Sequence, residues 1–314
     1  MRGLSRVLHP DACRHDIMAN LAKEPFMSHK DAAWHERMYN NRALVPDYAQ
    51  HFERWRSASA ELRAQRRGYL DVAYGAGENE TLDIFPADKP DAPVVVFIHG
   101  GYWRSLDKSE HSFVAESLLQ AGACVVVINY ALCPGTSQQP VTVPSIALQC
   151  AQALVWVWRH IGAYGGDRER IRLMGHSAGG HLAAMLLCCD WKQLGKDLPA
   201  GLVKQALALS GVYELAPLRH AAFVQADLCL TLADAQACSP TRYAAPKGRK
   251  LQALVGGDES FEFIRQTQAI GQVWGRGAVP VCEALPGLNH FSILTQLAVP
   301  GSRVQQYAQA LAAQ

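Results

Sequence analysis

The residues that could do covalent chemistry occur in the order Ser177, then Asp258 or Glu259, then His290. A neutral serine hydroxyl is a weak nucleophile until a base takes its proton. Histidine, with an ordinary pKa of about 6.5, can take that proton and later deliver it to a leaving group. A carboxylate behind the imidazole fixes its tautomer and stabilises the cation that forms. Asp258 and Glu259 compete for that place; Asp258 is favoured, because its neighbour Glu259 is a residue further on and longer. Ser177 lies in Gly175-His176-Ser177-Ala178-Gly179, after the apolar run Ile171 to Met174 and before a small-residue stretch from Ala178 to Cys189. That pattern reads as a strand, a sharp turn with the serine at its apex, and a helix. The Ala178 N–H, beside the helix start, and the Gly100 and Gly101 N–H groups in His99-Gly100-Gly101-Tyr102-Trp103 can face a developing oxyanion. The chemistry is acyl transfer to water through a serine ester, with no metal or cofactor required. Tyr102 and Trp103 are candidates either to line the substrate pocket or to anchor the loop in the core. His176 and His181 read as packing residues.

Continuous apolar runs at 94–98, 124–129, 171–174, 203–209, 251–255 and 279–284 alternate with helical stretches at 109–120, 144–161, 178–189, 261–274 and 291 to the end. Runs apolar on both faces suit buried parallel strands, and their alternation with helices predicts an α/β fold with a mostly parallel, doubly wound sheet. Two earlier strands, at 70–74 and 81–85, are expected to form an antiparallel edge. The candidate residues then all follow strand C-termini, where sites form in such sheets. Residues 30–67 are expected to be helical, with Tyr48, Phe52, Trp55 and Leu62 on one stripe that either packs on the body or covers the site mouth. Residues 1–28 are expected to be a loose leader and 214–248 a rim insertion, in one domain with its catalytic core at 69–314.

Apolar residues make up 49% of the 314-residue chain and charged residues 18%, enough for a sizeable core. The net charge is +2 with no long run of one sign, which argues against nucleic-acid or membrane partners and for a small-molecule substrate. A homodimer is left open. Nine scattered cysteines, without metal-ligand spacing, and a basic start without an apolar segment imply reduced thiols in the cytoplasm.

The chain resembles the α/β-hydrolase arylformamidases, the serine-dependent kynurenine formamidases. His99-Gly100-Gly101-Tyr102-Trp103 is similar to that family's HGGxW oxyanion motif, itself a variant of the HGGG of hormone-sensitive-lipase-type esterases. Gly175 to Gly179 is similar to its elbow. The likeness extends to Glu36–Pro46 and Leu70–Phe85, and Gly257-Asp258-Glu259-Ser260 and Asn289-His290-Phe291 sit where the family's acid and base fall. It implies hydrolysis of N-formylkynurenine to kynurenine and formate, a step of tryptophan catabolism. Short-acyl carboxylester hydrolysis by the same residues is the alternative, and a non-catalytic binding protein on the same fold the third reading.

Overall fold

The computed structural model describes Val7 and residues 31–313, so the expected leader lies outside the described residues but for Val7. From residue 31 the chain forms α1 (Ala32–Tyr39), α2 (Asn41–Leu44) and α3 (Tyr48–Gln65). Then follow β1 (Tyr69–Ala73), β2 (Thr81–Phe85), β3 (Ala92–Ile98), α4 (Ala115–Gln120), β4 (Cys124–Ile128), α5 (Val143–His160), β5 (Gly166–His176) and α6 (Ala178–Leu187). The last part holds β6 (Gln205–Leu209), α7 (Ala222–Leu228), α8 (Leu232–Ala237), β7 (Lys250–Gly256), α9 (Phe261–Ala278), β8 (Val281–Leu285), α10 (Ser292–Thr295) and α11 (Arg303–Ala312).

The strands form one eight-stranded sheet in the order β1-β2-β4-β3-β5-β6-β7-β8. β1 and β2 are antiparallel, as expected, and every pair from β4 to β8 is parallel. Valine-rich β3 and β4 are β-branched and buried on both faces, the signature of central parallel strands. Alternation divides their side chains between two cores. Val94, Val96 and Ile98 pack with the residues of α5, α6 and α9, whereas Val95 and Phe97 pack with those of α3, α4 and α11.

Three expected elements differ. The 109–120 helix is two 3-10 turns followed by α4, because buried His111 separates the turns with a non-helical φ of −123°. The C-terminal helix is broken, since Pro300 and Gly301, the latter at φ 74°, cannot continue it. Strand β8 lies at the sheet edge, so Cys282 is exposed instead of buried. Segment 214–248 folds as short helices between β6 and β7.

The stripe of the N-terminal helices packs on the body and also reaches the cavity wall. Trp55 and Leu62 are buried against the body, and Tyr48 and Phe52 line the cavity above Ser177. Trp55 Nε1 donates to Thr295 Oγ1 at 3.2 Å, and its ring lies within 6.2 Å of His111, Phe113, His176 and Phe291. Trp55→Ala removes a large buried ring and is expected to cost about 3–5 kcal/mol, read from urea unfolding midpoints. A loss below about 1 kcal/mol would mean that α3 is only loosely seated.

Candidate active site

Ser177 stands between β5 and α6 at φ 56° and ψ −119°, a conformation costly for a side-chain-bearing residue. Two glycines permit it. A Cβ on Gly179 would lie 1.9 Å from the Ile98 carbonyl oxygen, and one on Gly175 would lie 2.2 Å from that of Gly179. The Ser177 N–H is fixed by the Leu209 carbonyl at 2.8 Å. The turn therefore presses against the ends of β3 and β6, and the serine hydroxyl stands at the floor of a cavity.

His290, in the loop after β8, meets Ser177 with Nε2 at 3.0 Å from Oγ. Its Nδ1 donates to Glu259 Oε2 at 2.7 Å. A carboxylate can only accept there, so Nε2 carries the bare lone pair that faces the serine hydroxyl. The carboxylate behind His290 is thus Glu259, not the Asp258 favoured from sequence. The cause is local. The turn after β7 is pinned by Gly257 N–H to Leu285 O at 2.7 Å and by Asp258 N–H to Leu288 O at 3.0 Å. Pinned this way, Asp258 is exposed and its Oδ1 only meets the Gly287 N–H, at 3.3 Å. Glu259, just before the Ser260 cap of α9, turns inward, and its extra methylene reaches the imidazole. Its other oxygen accepts from the Gly256 N–H at 2.7 Å and from Ser210 Oγ, so the fully buried carboxylate is satisfied on both sides.

The glycine loop after β3 runs beside the elbow. Gly101 lies at φ 99°, where a Cβ would fall 2.1 Å from the Ser105 carbonyl oxygen. Among the described residues, neither the Gly101 nor the Ala178 N–H has an acceptor. Gly100 packs on the elbow, its Cβ position 3.0 Å from that of Ser177. Stacked rings of His99 and Tyr130, 4.3 Å apart, and a Tyr130 hydroxyl bond to the His99 carbonyl support the loop from below. Tyr102 lines the cavity and donates to the Tyr39 carbonyl at 2.6 Å. Trp103 does not line it; fully buried, its ring sits 5.0 Å from His181 and anchors the loop in the core.

Two polar groups have roles at the site that the sequence does not announce. Ser210, at the end of β6, holds Glu259, a contact no local pattern announces. His176, read as packing, donates from Nε2 to the His290 carbonyl at 2.7 Å and so fixes the backbone of the residue facing the serine. Burial, with the nearby His290, pushes the His176 pKa well down, so it stays neutral.

The cavity, about 370 Å³, is lined by Tyr48, Phe52, Trp55, Tyr102, Phe223 and Phe291, with Arg42 and Arg104 also on its wall. Phe223 comes from the 214–248 segment, whose Asp227 pairs with Arg104. Among the described residues no helix is long and apolar enough to cross a membrane.

These contacts predict a reversal of the sequence-based assignment. Glu259→Gln should lower kcat by roughly 10³–10⁴-fold, because an amide no longer enforces the productive tautomer. Asp258→Asn should stay near wild-type turnover. The opposite result would return the role to Asp258. The buried histidines predict acid sensitivity. Burial holds His181 at about 4 and His111 at about 3, and it lowers His99 too. A depressed folded-state pKa contributes stability above the unfolded value of about 6.5, and that stability is lost as pH falls below it. His181 and His111 should together cost roughly 4 kcal/mol between pH 7.5 and 5. Equal urea midpoints at those two pH values would contradict it.

A family model described as BD-FAE matches residues 82–215. The kynurenine formamidase of Danio rerio is 31% identical over 255 residues, covering 79% of this chain and 83% of that protein. That of Drosophila melanogaster is 25% identical over 300 residues, covering 92% and 95%. Among solved structures, a candidate thioesterase from Silicibacter sp. TM1040 superposes with a TM-score of 0.76 at 27% identity, covering 89% of this chain and 98% of that one. With that coverage and identity, and with a sheet that places a serine, a histidine and a carboxylate in one line, the chain is a hydrolase that belongs to the kynurenine formamidase family.

Proposed function

We propose that this protein hydrolyses aryl formamides, N-formylkynurenine foremost, to the arylamine and formate. The observation that carries the reading is the cavity: Ser177 and His290 lie at its floor under a wall of aromatic rings that suits an arylamine leaving group. The names of the relatives point the same way. A formyl carbon bears only hydrogen and needs almost no acyl pocket, so nearly all of the cavity serves the leaving group.

Ser177 Oγ attacks the formyl carbon as its proton passes to His290 Nε2, and Glu259 Oε2 holds the resulting imidazolium through Nδ1–H. The N–H groups of Gly101 and Ala178, with Gly100 beside them, receive the oxyanion of the tetrahedral intermediate. Collapse breaks the C–N bond, and the imidazolium protonates the departing nitrogen, leaving a formyl ester on Ser177. Water, deprotonated by His290, attacks that ester and releases formate with Ser177 restored.

Hydrolysis of short-acyl esters by the same groups is the second reading, favoured by the likeness to a candidate thioesterase. Substrate ranking separates the two. One methylene discriminates by only about 1–3 kcal/mol, so some ester turnover is expected from a formamidase. In kcat/KM, N-formylkynurenine should lead p-nitrophenyl acetate, and butyrate should trail acetate. A rise from acetate to butyrate, with N-formylkynurenine barely turned over, would leave the esterase reading.

A further inference from the structure

The cavity wall carries an unbalanced charge. Arg42 and Arg104 line it, and no aspartate or glutamate among the described residues does. Arg104 is neutralised by Asp227 and lies over the Phe223 ring at 5.7 Å. Arg42 has no carboxylate within ion-pair distance among the described residues. Its guanidinium sits 5.3 Å from the Phe52 ring centre and 5.8 Å from that of Tyr48, and Nη2 donates to Ser105 Oγ at 3.0 Å. Arg42 is exposed, and that single bond leaves most of its five donors free for solvent or a ligand. Desolvation, with the like charge of Arg104 beside it, pulls the Arg42 pKa down, against smaller upward pulls from Tyr48 and Glu110.

The neighbouring residue repeats the deficit. Asn41 lines the same cavity and is only 3% exposed, yet its Nδ2 is buried without a hydrogen-bond partner. A buried donor left unmade costs free energy unless something accepts from it. A guanidinium without an ion pair and an orphan amide, adjacent in sequence and on one wall, together describe a receptor for an anion that accepts several hydrogen bonds. A carboxylate does so, and guanidinium matches its geometry.

We infer that Arg42, with Asn41, binds a carboxylate on the leaving-group portion of the substrate and so selects aryl formamides whose tail bears a carboxylate. The inference rests on the formamidase reading for its reaction, but not for its binding. Arg42 makes no hydrogen bond to Ser177 or His290: it contributes to substrate capture and appears in KM. Ser105 Oγ, which Arg42 contacts, also donates to the Gly101 carbonyl at 3.0 Å, so a purely architectural role for Arg42 would disturb the oxyanion loop and lower kcat for every substrate.

The test compares wild type, Arg42→Gln and Arg42→Lys on N-formylkynurenine and on formanilide, which has the same scissile bond without the charged tail. Kynurenine binding is measured alongside by calorimetry. In Arg42→Gln the preference for N-formylkynurenine over formanilide should fall at least about tenfold, carried by KM, and kynurenine should bind about tenfold more weakly or worse. Arg42→Lys should recover part of both. An equal loss on the two substrates, carried by kcat, or no loss of kynurenine affinity would overturn the assignment. If wild type turns over neither formamide yet binds kynurenine in an Arg42-dependent way, the formamidase reading falls and the carboxylate subsite stands.

Discussion

Everything at the site depends on one strained residue. Ser177 occupies a backbone conformation that L-residues avoid, and it is held there by contacts too close for any side chain but hydrogen on Gly175 and Gly179. The turn sets the hydroxyl at the cavity and, among the described residues, leaves the Ala178 N–H at the start of α6 without an acceptor. The elbow also lies so near the end of β3 that the glycine loop passes beside the serine. The register of the central strands, with Ile98 opposite Gly175, sets that approach. A sheet rigid enough to keep one residue at φ 56° also positions the β6, β7 and β8 loops that carry Ser210, Glu259 and His290.

Around that point the polar groups are paired in sequence. Ser210 and the Gly256 N–H hold Glu259, Glu259 holds His290 through Nδ1, and His176 holds the His290 carbonyl. Each bond removes a freedom that would otherwise be settled during reaction, which is how a preorganised site lowers a barrier. Burial keeps His176 neutral, so it constrains His290 without adding a competing charge.

Much of this was legible in the chain. The valine-rich runs and their alternation with helices gave the sheet, and Gly-x-Ser-x-Gly and His-Gly-Gly located the elbow and its loop, because steric demands leave a signature in glycine. Choosing between Asp258 and Glu259 was not settled by residue type alone. It turned on which way a four-residue turn faces, and two backbone hydrogen bonds to the β8 loop decide that. Trp103 was equally ambiguous, since a large ring fits a pocket or a core. The substrate wall was hidden for another reason. Arg42, Tyr48 and Phe52 precede the sheet, Phe223 lies in the segment between β6 and β7, and only the packing of both onto the elbow brings them together.

The most direct measurement is active-site titration with an organophosphate, following residual N-formylkynurenine hydrolysis and locating the adduct by peptide mass mapping. The account predicts loss of turnover in one-to-one proportion to a single phosphoryl group on Ser177. Turnover persisting in fully labelled protein, or an adduct that abolishes it from another residue, would contradict the role given to Ser177.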